Sequence, residues 1–156
     1  MKVTDEIFGE LEYKYVWGRD FQVSLFGKDS TVRLSVGASK EVPCSLLQKS
    51  TFIDLSKNIE NINSDVMSAL FFFYKENLEE FRGCIDSDDW GEMAPEISSE
   101  QELNKLVVLE NINIQDAEDK SKRVVYYFST TFEEELGVSV IIVNGKVVEV
   151  VTDIAY

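Results

Sequence analysis

The residues whose types and spacing come nearest to a chemical site are the carboxylates of Asp86-Ser87-Asp88-Asp89-Trp90-Gly91-Glu92. Aspartates at the first and third positions and glycine at the sixth begin the pattern of a calcium-binding loop, in which oxygen ligands surround a sharp turn. The pattern fails at the fifth position, Trp90, and at the twelfth, Ile97, where an oxygen ligand and a bidentate glutamate are required. No metal site is expected there. The wider window, residues 83–104, holds Asp86, Asp88, Asp89, Glu92, Glu96, Glu100 and Glu102 and contains no lysine or arginine. An aromatic side chain set among charges is a common composition of protein interfaces. Asp86, Asp88, Asp89, Trp90 and Glu92 are therefore candidate partner-binding residues; the competing reading is a solvated loop with Trp90 folded onto the core. A second acidic run, Glu133-Glu134-Glu135, is either a further contact or a polar turn between strands.

Catalytic chemistry has little to draw on. The chain has no histidine, which removes Ser–His and Cys–His nucleophile pairs, imidazole acid–base chemistry and the usual mixed zinc sites. Cys44 and Cys84 cannot make a four-ligand zinc site by themselves, and in a reducing compartment they read as small buried apolar residues and not as a disulfide. The eight glycines stand singly, with no P-loop and no G-x-G-x-x-G, so no nucleotide cofactor is expected. Paired carboxylates can cleave glycosides without histidine, but carboxylates are a weak signal in a chain this acidic. The residues point away from an enzyme and towards a protein that binds.

The charge balance narrows the partner. Fifteen Lys and Arg face 29 Asp and Glu, a net charge of −14. Nucleic-acid affinity comes largely from Lys and Arg displacing counterions, so no nucleic acid is expected, and anionic membrane surfaces are disfavoured for the same reason. Acidic charge can serve solubility alone. Its functional reading is a surface that attracts and orients a basic protein. Met1-Lys2-Val3-Thr4-Asp5-Glu6 lacks the apolar stretch of a signal peptide, and no apolar run approaches the ~20 residues that span a bilayer. A cytoplasmic location is expected.

These residues need a frame to hold them. Leu11, Tyr13 and Tyr15 alternate within residues 10–17, Gly18-Arg19-Asp20 reads as a turn, and residues 21–26 and 31–36 complete a three-stranded meander around Gly27-Lys28-Asp29-Ser30. Pro43 opens a helical block, since proline suits a first helical position. Residues 45–59 are moderately helical. From Asn63 or Ser64 to Phe81, the residues Val66, Met67, Leu70, Phe71, Phe73, Tyr74, Leu78 and Phe81 form one apolar stripe at helical spacing. Asn77 interrupts that stripe. Phe72 points away from it, either into a second layer through Ile53 or Leu55 or out to a partner, and so joins the candidate contacts. Ser99-Glu100-Gln101-Glu102 has the form of a capping box. Strands follow over residues 106–114, 123–131, 138–143 and 146–151. Asn144-Gly145 predicts a two-residue hairpin with positive φ at both positions. The last two strands are apolar on both faces, which predicts central places in the sheet. Residues 1–156 thus form one α+β domain: an antiparallel sheet of about six or seven strands with two central helices on one face.

The stretch from Phe132 through Glu133-Glu134-Glu135-Leu136-Gly137 and Asn144-Gly145 to Val150, ending Asp153-Ile154-Ala155-Tyr156, resembles a group of small bacterial domains of unknown function. Members of that group occur among immunity proteins of polymorphic toxin and contact-dependent growth-inhibition systems. Phe8-Gly9-Glu10-Leu11 and Phe21-Gln22-Val23-Ser24-Leu25-Phe26-Gly27 are similar to its first hairpin. Leu136 stands where the group often has a histidine, so no role for that histidine carries over. The resemblance implies an immunity protein that neutralises a toxin domain, a basic one by charge, through occlusion of its active surface. The alternative is a non-catalytic protein-binding or regulatory domain unrelated to toxins. Neither reading sets an oligomeric state.

Overall fold

In the computed structural model, residues 1–37 and 39–153 are described; Ile154-Ala155-Tyr156, the end of the resembling stretch, lie outside the described residues. Among the described residues eight strands form one open sheet in sequence order: β1 (Lys2–Asp5), β2 (Gly9–Lys14), β3 (Val16–Leu25), β4 (Lys28–Ser35), β5 (Val107–Ile114), β6 (Arg123–Thr130), β7 (Val138–Val143) and β8 (Lys146–Val151). Neighbours are antiparallel except β4 and β5, where Arg33 lies opposite Asn111 and Ser35 opposite Asn113 in parallel register. Two four-stranded meanders therefore meet at one parallel seam. Parallel neighbours need a crossover, and the helical block supplies it.

The expectation of six or seven strands falls short because β1 has only one apolar residue, Val3, and no alternation to reveal it. It pairs with β2, Lys2 opposite Glu12 and Asp5 opposite Gly9. The first turn also moves. The chain reverses at Tyr15, which takes a positive φ of 72°, and Gly18-Arg19-Asp20 lies inside β3. Gly18 serves close approach and not a turn: a Cβ there would come within 2.5 Å of the Leu34 carbonyl and 2.8 Å of the Arg33 guanidinium. At the other end Asn144 and Gly145 have φ of 51° and 81°, the predicted hairpin.

Helix α1 (Leu46–Lys57) starts later than Pro43. Its first turn is set by Ser45, whose Oγ accepts from the Gln48 N–H while Gln48 Oε1 accepts from the Ser45 N–H. The same buried Gln48 donates through Nε2 to the Val36 and Ile114 carbonyls, 2.9 Å each, and so ties α1 across the parallel seam. Helix α2 (Ile59–Glu76) begins earlier than the stripe suggests and buries Ile62, Val66, Leu70 and Tyr74 at i, i+4 spacing. Asn77, the polar interruption, ends it: its side chain donates to the Phe73 carbonyl, and α3 (Leu78–Gly83) starts anew. A 3-10 turn (Ser87–Asp89), the one-turn α4 (Trp90–Met93) and a 3-10 turn (Glu100–Lys105) complete the crossover.

The core lies between these helices and one sheet face, where Trp17, Leu34, Ile112, Tyr126, Phe128 and Val140 are fully buried. The apolar pattern of the last two strands misplaces one of them. β7 is buried along nearly its whole length, but β8 is the edge strand and none of its residues is buried. Among the described residues no helix is long and apolar enough to cross a membrane.

Candidate partner-binding surface

Phe72 is 65% exposed, so among the described residues no second layer covers it. Leu55 of α1 is buried in the main core. Phe72 lies two residues from both Leu70 and Tyr74, and at about 100° per residue that directs it away from their buried line. It shares a helix ridge with Ala69, Phe73 and Glu76, at i, i+3, i+4 and i+7 spacing. This ridge and residues 147–150 of β8 line a groove of about 380 Å³. Beside Phe72 stands Val148, 59% exposed. The register shifts between Ile141 and Ile142, so that Glu149 and Val147 take partners and Val148 takes none.

The groove continues past Phe73, Asn77 and Val150 into a second hollow of about 570 Å³, whose lining includes Phe81, Cys84 and Phe132. Glu76 and Glu149 line the first part, and Glu80, Glu133 and Asp153 the second, with no lysine or arginine among the described residues of either lining. Glu76, Glu80 and Glu149 are exposed and make no ion pair among the described residues. The surface combines an aromatic ring, a valine-rich strand edge and a row of carboxylates.

The other candidate residues divide. Glu133 belongs to the groove but is also a turn residue: its carboxylate accepts from the Glu135 and Leu136 N–H groups, and its N–H donates to Thr130 Oγ1. Glu134 and Glu135 are exposed on the same turn. Asp86, Asp88, Asp89, Trp90 and Glu92 line neither part of the groove. The four acids are exposed, and Asp86 Oδ1 accepts from the Asp88 N–H at 3.1 Å. Trp90 is half-buried and held: its indole N–H donates to the Arg82 and Ile85 carbonyls at 3.1 and 3.0 Å. The Arg82 guanidinium lies 5.0 Å from its ring centroid, and Arg82 Nε donates to the Ala94 carbonyl. Trp90 closes the end of α3.

With the surface described, comparison with known families is decisive at one level. Residues 7–153 match a family described as Domain of unknown function (DUF6985). The chain belongs to this family. The matched region takes in every strand except β1, together with the whole crossover. No curated protein matches the chain, and no solved structure matches it.

In this DUF6985 domain, among the described residues, a thiol, an amine and a carboxylate meet at Cys44, Lys49 and Asp5. Asp5 accepts from the Ile7 and Phe8 N–H groups at 2.8 and 2.9 Å and pairs with Lys49 at 3.1 Å. Burial works to raise the Asp5 pKa, but these hydrogen bonds and Lys49 outweigh it and the carboxyl is held below its ordinary value. Cys44 Sγ lies 3.6 Å from the same carboxylate. Burial first, then the Asp5 charge, pushes the thiol up to about 11, which leaves it protonated and a poor nucleophile. Cys44 and Cys84 are both free thiols, but the expectation that both are buried fails: Cys44 is half-buried and Cys84, at the C-terminal cap of α3, is exposed. A second polar place, a cavity of about 300 Å³ between α1 and the β7–β8 hairpin, is bridged by the Lys122–Asp54 ion pair. Among the described residues every buried side-chain nitrogen and oxygen has a partner.

Sequence reasoning had Phe72 and Glu133 but not Val148, Glu149, Glu76 or Glu80. The signal for β8 was available: Glu149 interrupts its apolar run.

Proposed function

We propose that this domain is a cytoplasmic immunity protein that binds a cognate bacterial toxin domain and neutralises it by covering its basic active surface. The observation that carries the reading is the groove between α2 and β8. Phe72 and Val148 stand exposed there among Glu76, Glu80, Glu133 and Glu149, without a lysine or arginine among the described residues of the lining. Interface anchors are typically aromatic, and a field of one sign selects a partner of the other. The net charge of −14 extends that field beyond the groove. The protein acts by occlusion and turns over no substrate.

The test is to ask whether a gene adjacent to this one encodes a toxin domain and, where it does, to co-express the two. A stoichiometric complex and restored growth support the reading; a toxin that stays active beside excess protein overturns it. The association rate of the complex should also fall steeply as salt rises, because the Debye length contracts from about 10 Å at 0.1 M to about 3 Å at 1 M. A rate that is flat across that range removes electrostatic steering from the mechanism.

A further inference from the structure

We propose that the outer edge of β8 is a docking site for an extended, lysine- or arginine-bearing segment of a partner protein, which joins the sheet as an added strand and lays apolar side chains against Phe72 and Val148. This deepens the occlusion reading and rests on it for the partner's identity, while the chemistry of the edge stands on β8 itself. An edge strand presents a row of unpaired backbone N–H and C=O groups, and proteins normally blunt such edges with short strands, proline, charged side chains or bulges; β8 carries one register irregularity of this kind, confined to Val148. β8 has six residues, four of them valine, and between Lys146 and its end only Glu149 is charged. Lys146 lines the cavity on the α1 side and not the groove. The irregularity at Ile141 and Ile142 leaves the unpaired Val148 facing the groove together with Phe72. Strand addition uses such an edge: main-chain hydrogen bonds give affinity, and pockets for alternate side chains give specificity.

Charge decides the occupant. Glu76, Glu80, Glu133, Glu149 and Asp153 line the path that an added strand would follow. Like charges directly opposite each other across strands are destabilising, so an acidic strand is rejected. A second copy of this chain would bring the same carboxylates and another net charge of −14 to the contact. A segment alternating basic and apolar residues satisfies both the carboxylates and the Phe72–Val148 pair.

The test uses a capped peptide of alternating lysine and valine, long enough to span β8, titrated into isotope-labelled protein. Amide shifts confined to residues 147–151 and 69–76, with slowed hydrogen exchange on β8, are the expected result. A glutamate–valine peptide should produce neither. Val148→Lys, which blunts the edge as native lysines do, should weaken binding of the basic peptide at least about tenfold. Glu149→Lys, at an exposed position, gives a second variant should Val148→Lys disturb folding. No shifts, shifts at residues 86–92 instead, equal binding of both peptides, or indifference to both variants overturns the proposal. A concentration-dependent dimer that Val148→Lys dissolves assigns the edge to a second copy and overturns it too. Failure of the toxin-domain experiment leaves these outcomes intact. Failure here, with neutralisation intact, moves the toxin contact elsewhere on the surface.

Discussion

The sheet has two edges, and the chain treats them in opposite ways. β1 is four residues long, and Lys2 pairs with Glu10 of its neighbour at 3.4 Å. It is anchored by Asp5, whose carboxylate holds the β1–β2 turn and Lys49 of α1. β8 is longer, consists mainly of valine and relies on apolar packing under α2. A short polar edge resists further pairing, and a long apolar one invites it. The difference teaches where further pairing can occur: of the exposed large apolar side chains, Phe72 and Val148 share one groove beside carboxylates, at the edge guarded only by Lys146, Glu149 and a register irregularity, while Tyr15, Val42, Leu46 and Val108 lie outside it.

Breaking the support of β8 should have the largest effect. Leu70 is fully buried on the line by which α2 packs over the second meander. Leu70→Ala should cost about 2–5 kcal/mol of stability by denaturant unfolding, as buried Leu→Ala changes do. A loss under about 1 kcal/mol would mean that α2 packs more loosely than its burial indicates.

Trp90 comes next. Its indole N–H satisfies two carbonyls at the end of α3, and Thr131 Oγ1 donates to the Met93 carbonyl at 2.8 Å, docking the following turn on the end of β6. Trp90→Ala should therefore destabilise the protein by about 2 kcal/mol, less than the 3–5 of a fully buried tryptophan. An unaltered melting curve with lost affinity would reverse this and make Trp90 a partner anchor.

How far the sequence exposed these features depended on the kind of signal. The Asn144-Gly145 turn and the Ile62–Tyr74 face of α2 are local, and residue type and spacing reveal them. β1 was hidden because an edge strand guarded by charge lacks the alternation that marks a strand. β8 was misplaced because four valines read as burial, whereas burial depends on what lies beyond the strand. Gly18 read as a turn because a glycine chosen for the close approach of Arg33 and the Leu34 carbonyl looks, in one dimension, like a glycine chosen for its φ. The acids of the candidate site were visible as charge. Their gathering along β8 required the topology that brings residues 76–80, 133 and 149–153 together.

At the polar edge the controlling group is Asp5, whose folded-state pKa lies below the ordinary 3.8. A depressed carboxyl stabilises the fold fully above its unfolded pKa, and that stabilisation is lost as pH falls through the folded value. Acidification below about 3.8 should thus release β1 first, seen as loss of amide protection over residues 2–5 while β8 keeps its own. Asp5→Asn should remove about 1.5 kcal/mol at neutral pH, the lower end of the scale for hydrogen bonds to a charged acceptor because the amide oxygen can still accept, and should flatten the acid response. If β1 and β8 lose protection together, the two edges are not independently held.

The smallest expected effect on stability is the most informative about the apolar edge. Phe72 is 65% exposed, so only about a third of the ring is covered. Full burial of such a side chain contributes about 1.5–3 kcal/mol, which leaves about 0.5–1 kcal/mol at this position. Alanine recovers about 0.5 kcal/mol through its higher helix propensity in the interior of α2. The two terms nearly cancel, and Phe72→Ala should move the unfolding free energy by less than about 0.5 kcal/mol. Binding should respond differently, because a ring that meets a partner is desolvated only in the complex; affinity should fall by about 2 kcal/mol, the scale of an interface anchor. Unfolding and partner titration on the same preparation separate these terms. A stability loss as large as that of Leu70→Ala would place Phe72 in the core. Unchanged affinity with unchanged stability would leave the ring outside the interface, and the contrast between the two edges would then rest on β8 alone.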